Sequence, residues 1–246
     1  MRYDIFDQDQ SIYDMIADPT FRTVMKQLTE REMIFTQALA FELKKGTSNG
    51  FPWHIGTQSF GFQRAEDFGL TIWFPLVTVD PTKQRGGMAY VPTDRVSGHF
   101  MYEKVDPSTF NFLREKIERN EDVFIDEYML LRDGPLNDPA MKKMLDYYGV
   151  EDHFELGDAL IFNKYVIHRS VKLEDGEISS RPALAIRFTD ADARYDKKRA
   201  EDLEIPRKFW NYAGPTMMHL DIASEDGTKL KDSPLFAANL KERTVS

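Results

Sequence analysis

Residues 181–188 read RPALAIRF, an alternation that predicts a β-strand. Leu184, Ile186 and Phe188 fall on one face, and Arg181, Ala183, Ala185 and Arg187 on the other. The apolar face requires a covering layer, which an N-terminal helix could supply. The opposite face combines two cations with two of the smallest side chains, leaving space and positive charge together, as a pocket for a small anion requires. A half-exposed strand with solvated arginines gives the same pattern, so this strand alone leaves both readings open.

The same reading extends along the chain. Asp18-Pro19-Thr20 followed by residues 21–35 predicts a capped amphipathic helix, with Phe21, Val24, Met25 and Leu28 at helical spacing. From Phe41 to Phe100 short apolar runs are broken by turn residues, and LTIWFPLV (70–77) and MAYVP (88–92) read as strands. Residues 106–149 turn helical, with Phe110, Leu113 and Ile117 on one face. Farther along, Asp138, Pro139 and Gly149 serve as cap, first-turn residue and stop. Strand character returns at 158–170 and 181–188. GFQRAEDFG and QRGG read as turns, because they lack the strand-to-helix context of a phosphate loop. The expectation is one mainly β (α+β) domain over 1–246, with a helical insertion at about 104–150 and a C-terminal extension at about 191–246.

Composition narrows the function class. A balance of 41 acidic against 32 basic residues, net −9, without a long basic block, argues against nucleic acid or an anionic membrane as partner. No apolar run approaches the ~20 residues of a membrane span, and the acidic start MRYDIFDQDQ lacks the features of a signal peptide. The absence of cysteine excludes disulfides, thiolate metal sites and cysteine nucleophiles. These features fit a cytoplasmic protein acting on a small-molecule substrate.

Five histidines remain as candidate ligands: His54, His99, His153, His168 and His219. His153 and His219 lie in polar contexts and read as surface residues. The methionines, Met129, Met141, Met144, Met217 and Met218 among them, read as core filler. His54 follows Trp53 at the mouth of a strand, and His168 follows GDALIFNKYVI and precedes a loop ending at Arg181. Imidazole suits iron, and a two-histidine site with open positions admits a bidentate cosubstrate and O2.

Four pieces, ELKKGTSNGFPWHIG, GLTIWFPLVTVDPTKQRGGMAYVP, ELGDALIFNKYVIHRS and SSRPALAIRF, resemble in content and order the phytanoyl-CoA dioxygenase type of Fe(II)/2-oxoglutarate-dependent oxygenase. The resemblance runs from about Phe41 to Phe188 and excludes the helical insertion. It implies a double-stranded β-helix (jelly roll) with N-terminal helices packed on one sheet. It further implies His54 and His168 as metal ligands. Arg181, with Ser170, would hold the far carboxylate of 2-oxoglutarate, and Trp73 and Thr71 would line the cosubstrate pocket. The cofactors implied are Fe(II) and 2-oxoglutarate, with O2 as cosubstrate. The family's Gly-Ser-His stretch is TDRVSGH here, so His99 is not assigned as a ligand.

The main departure is Gly56, where the family's His-x-Asp has its carboxylate. The His-x-Gly motif resembles that of non-heme iron halogenases, and implies an open position at iron for chloride, with Thr57, Gln58 and Ser59 nearby as hydrogen-bond donors. A second account keeps a hydroxylase, with Glu66, Asp67 or water completing the site. A third makes the protein a non-catalytic jelly-roll binding protein. The insertion reads as a lid over the pocket mouth, or as surface decoration or a homodimer contact.

Overall fold

Two helices stand in front of the first long strand in the computed structural model, which describes residues 2–3, 10–47, 49–210, 218–237 and 244–245. The elements are β1 (Arg2–Tyr3), α1 (Gln10–Ala17), α2 (Pro19–Thr29), β2 (Met33–Lys44), β3 (Gly69–Pro75) and β4 (Met88–Val91). A π-helical turn over Met101–Val105 leads into α3 (Asp106–Glu118), α4 (Ile125–Asn137) and α5 (Pro139–Tyr148). Then come β5 (Val150–Glu151), β6 (Leu160–Asn163), β7 (Ile167–Ser170) and β8 (Ser180–Asp190). The chain closes with α6 (Lys197–Asp202), α7 (Glu204–Trp210), α8 (Pro234–Ala237) and β9 (Thr244–Val245).

The strands form the two sheets of a jelly roll. The larger has the order β1-β2-β8-β3-β6, with β9 also on β2, and the smaller has the order β5-β4-β7. The alternation in β8 is realised on both faces. Ile186 and Phe188, with Leu70 and Ile72 of β3, pack under Ile12 and Ile16 of α1 and Met25 of α2. Ala183, Ala185 and Trp73 face the interior between the sheets, together with Leu39 and Met88.

The N-terminal helix is shorter than its sequence pattern suggests. Asp18 accepts from the Phe21 amide and Pro19 opens the helix, as expected, but the helix ends at Thr29 and Glu30 turns left-handed with φ 53°. Strand β2 then begins at Met33, because pairing with β8 along its whole length outweighs the local helical preference of TEREMIF. Within α2, Met25 is buried, whereas Val24 and Leu28 are exposed. Helix α1 carries part of the covering layer and was not legible as a helix. The span 158–170 is two strands, since Lys164 to Val166 turn between β6 and β7.

The insertion packs on the smaller sheet. Leu136 and Leu145 join Val91, Ile167 and Trp53 in one apolar cluster. Asp146 accepts from Trp53 Nε1 at 2.9 Å, and Asn137 donates to the Trp53 carbonyl at 3.2 Å. The insertion therefore buttresses the segment that carries His54. The C-terminal extension is also built in, since Tyr195, Ile222, Leu230 and Phe236 share a buried cluster with Ile34 of β2. Met217 lies outside the described residues, as do the other residues of 211–217. Met129, Met141 and Met218 pack against apolar clusters. Among the described residues no helix is long and apolar enough to cross a membrane.

Candidate metal centre

His54 and His168, 114 residues apart in sequence, exchange backbone hydrogen bonds. His54 N donates to the His168 carbonyl at 2.9 Å and His168 N to the His54 carbonyl at 3.0 Å. This reciprocal pairing sets the two rings side by side, with centroids 4.4 Å apart. His54 Nδ1 lies 2.8 Å from the Pro52 carbonyl and His168 Nδ1 lies 2.9 Å from the Val166 carbonyl. A carbonyl can only accept, so each Nδ1 carries the proton and each Nε2 keeps its lone pair. Burial lowers both ring pKa values, and the neighbouring imidazole lowers that of His168 further. Two neutral imidazoles with Nε2 lone pairs are the donor set a borderline divalent metal takes.

Both rings border a cavity of about 110 Å³, which Gly56, Thr71, Trp73 and Ser170 also line. These are the positions expected from the sequence. Gly56 has neither a left-handed φ nor a crowded neighbourhood. A Cβ built there would meet Ser59 Oγ at 3.6 Å, an ordinary contact. Neither backbone nor packing therefore requires glycine at 56. Six residues earlier the case is opposite. Gly50 has φ +79°, and a Cβ there would lie 2.2 Å from the Ser170 carbonyl oxygen.

Among the described residues no acidic side chain takes the carboxylate position from elsewhere. Asp67 accepts from the Arg194 amide at 2.6 Å, and Arg194 Nη2 reaches Glu66 at 3.0 Å, so the expectation that either acid reaches back to the metal is corrected. Among the described residues no group of three or more His, Cys, Asp or Glu side chains converges. Of the hydroxyl and amide groups after Gly56, Ser59 stays beside it, Thr57 lines a different cavity, and Gln58 donates to the Tyr128 hydroxyl at 2.7 Å. His99 packs against the Tyr165 ring, and His153 pairs with Glu155 at the surface. His219 is not at the surface. It is buried, with Nε2 2.7 Å from Glu204.

Arg181 is fully buried at the start of β8. Its Nε donates to the Gly86 carbonyl at 2.6 Å, and its guanidinium lies over Phe41 and Trp73, 5.3 and 5.4 Å from their ring centroids. Phe41 and Trp73 are walls of the histidine cavity, so Arg181 sits behind them rather than in the wall itself. Both its Nη groups and the Trp73 indole N–H are buried and have no hydrogen-bond partner among the described residues. Burial lowers the guanidinium pKa to about 10, which leaves it charged at neutral pH. A buried cation with unmet donors costs several kcal/mol unless an anion compensates it.

Two cavity residues escaped the sequence reading as site residues. Arg187 lies two turns of the alternation beyond Ala183 on the inner face, lines the cavity, and donates to Gln37 Oε1 at 2.6 Å. The alternation in RPALAIRF was the signal that could have found it. Lys164 is buried in the wall with Nζ donating to the Arg64 carbonyl at 2.8 Å, above the Tyr102 ring at 4.9 Å, and burial pushes its pKa down to about 7. The cavity wall contains no acidic side chain.

No family model matches the chain, and no curated protein does. Its fold is similar to that of solved non-heme, alpha-ketoglutarate-dependent enzymes. The carbocyclase SnoK from nogalamycin biosynthesis matches at 15% identity and TM-score 0.52, over 79% of this chain and 65% of that one. The epimerase SnoN from the same pathway, in a complex with Fe3+, alpha ketoglutarate and nogalamycin RO, matches at 15% identity and TM-score 0.55, over 93% and 73%. EctD from S. alaskensis, in its apoform, matches at 13% identity and TM-score 0.53, over 79% and 58%. The chain thus spans less than two thirds of the length of SnoK and of EctD. At these identities the likeness establishes the double-stranded β-helix fold.

Proposed function

We propose that the protein is a non-heme Fe(II)/2-oxoglutarate-dependent oxidoreductase of the phytanoyl-CoA dioxygenase type, which functionalises an aliphatic C–H bond of a small molecule and takes a halide at the position left open by Gly56. The observation that carries this reading is the His54–His168 pair, with both Nε2 lone pairs available beside a cavity without carboxylates. The similar fold of alpha-ketoglutarate-dependent enzymes supports the same class.

The residues fit the cofactors in chemical type. The two imidazoles would hold the metal. The Arg181 guanidinium, the Trp73 indole N–H and the Ser170 hydroxyl would hold the far carboxylate of 2-oxoglutarate, relieving the uncompensated buried charge. When bound, Fe(II) with 2-oxoglutarate and O2 supplies the oxidising power to replace C–H by C–halogen or C–OH, with succinate and CO2 as coproducts. Gly56 leaves room where a carboxylate would otherwise exclude a halide, and Arg187 adds positive charge to the same cavity. Apolar walls, Leu39, Phe41 and Met88 among them, would keep bulk water from a metal held there.

Aerobic incubation with Fe(II) and 2-oxoglutarate tests the class. The expected result is succinate in the wild type and none in His168→Ala; wild-type protein that leaves 2-oxoglutarate intact over a range of candidate substrates would refute it. Gly56→Asp tests the halide. It should bind Fe(II) more tightly and lose all response to chloride. Water occupying the Gly56 position in the presence of saturating chloride would instead support hydroxylation.

A further inference from the structure

The histidine cavity, at about 110 Å³, is smaller than either of the two spaces near it. A cavity of about 390 Å³ lies on the Thr57 side, but it shares no wall residue with the histidine cavity, and acids and bases in its wall pair with each other, as in Arg199–Asp106 and Lys198–Asp202.

A groove of about 370 Å³ adjoins directly, because Phe51 and Ser170 are walls of both spaces. The Phe51 ring lies 6.2 Å from that of His54 and is 41% exposed, which places an apolar edge between groove and metal centre. Four cations, Arg85, Lys142, Arg169 and Lys172, line the groove, and no acidic side chain does. In a chain of net charge −9 this is a local reversal of sign. Glu151, Asp146 and Glu174 hold Arg85, Arg169 and Lys172 from outside the groove wall. No carboxylate pairs with Lys142 among the described residues. Arg169 is stacked on Trp53 at 4.8 Å, and its buried Nε has no hydrogen-bond partner among the described residues. The groove therefore offers pre-positioned donors and a net excess of positive charge beside the mouth of the metal site.

We infer that this groove binds an anionic group, phosphoryl or carboxyl, and that the protein's substrate carries such a group there while its reacting carbon passes Phe51 toward the histidines. The second half rests on the iron reading, whereas anion binding does not, so the test uses metal-free protein. Phenyl phosphate and benzoate, which share a ring and differ in the anion, are titrated calorimetrically at low salt, with and without 2-oxoglutarate. Saturable binding of phenyl phosphate that persists with 2-oxoglutarate present, and weakens at least about tenfold in Lys142→Glu and in Lys172→Glu, is the expected result. A benzoate affinity close to that of phenyl phosphate would assign the group as carboxyl, and a much weaker one as phosphoryl. Absence of saturable binding of both probes, or binding that 2-oxoglutarate abolishes and neither lysine variant changes, would overturn the inference.

Discussion

The two faces of the larger sheet use the same strands for opposite purposes. On the outer face, Leu70, Ile72, Ile186 and Phe188 meet α1 and α2 in an apolar cluster. On the inner face, the alternate residues of the same strands are Thr71, Trp73, Ala183, Ala185, Arg181 and Arg187. There the small side chains leave a cavity, and the Arg181 Nη groups and the Trp73 indole N–H have no hydrogen-bond partner among the described residues. One face holds the strands in register, and that rigidity lets the other keep charge and space at fixed positions. An unmet donor on the outer face would only destabilise the fold. On the inner face it lies beside the cavity in which the proposed cosubstrate would bind.

Three substitutions sharpen this contrast. The largest stability effect is expected on the outer face. Phe188→Ala removes a ring packed against Phe21 and Phe35 and should cost about 3–5 kcal/mol in urea unfolding, while the protein that remains folded binds 2-oxoglutarate as before. Arg181→Met should do the reverse. Loss of 2-oxoglutarate affinity worth about 2–5 kcal/mol is expected by calorimetry, with ligand-free stability unchanged or raised because a buried uncompensated charge is gone. Equal affinity for 2-oxoglutarate in that variant would break the comparison.

Per pH unit, the smallest effect concerns Lys164. Its native pKa of about 7 lies below the ordinary 10.5, so between these values the unfolded chain binds a proton that the native protein does not. Stability should therefore rise with pH across that window, by at most about 1.4 kcal/mol per pH unit. Urea midpoints at successive pH values measure this slope, and it should flatten in Lys164→Met. An unchanged slope in the variant would assign the effect to other groups.

Much of the site was legible because it depends on alternation and order. RPALAIRF carries both faces of β8. What was illegible depends on long-range pairing. The residues TEREMIF look helical, yet Met33 and Ile34 pair with β8 and β9. His219 stands in polar sequence, but the C-terminal packing buries it beside Glu204. Lys164 reaches the cavity wall only because the turn between β6 and β7 folds it inward. Gly50 and Gly56 are the same residue in sequence. Only the structure separates a glycine the backbone requires from one it does not.

The most direct test of the account is an anaerobic titration of the metal-free protein with Fe(II) and 2-oxoglutarate, followed by visible absorption with and without chloride. The account predicts a metal-to-ligand charge-transfer band that forms only with both components, is absent in His54→Ala and His168→Ala, and shifts when chloride is added. No band in the wild type, or one that persists in both histidine variants, would contradict it.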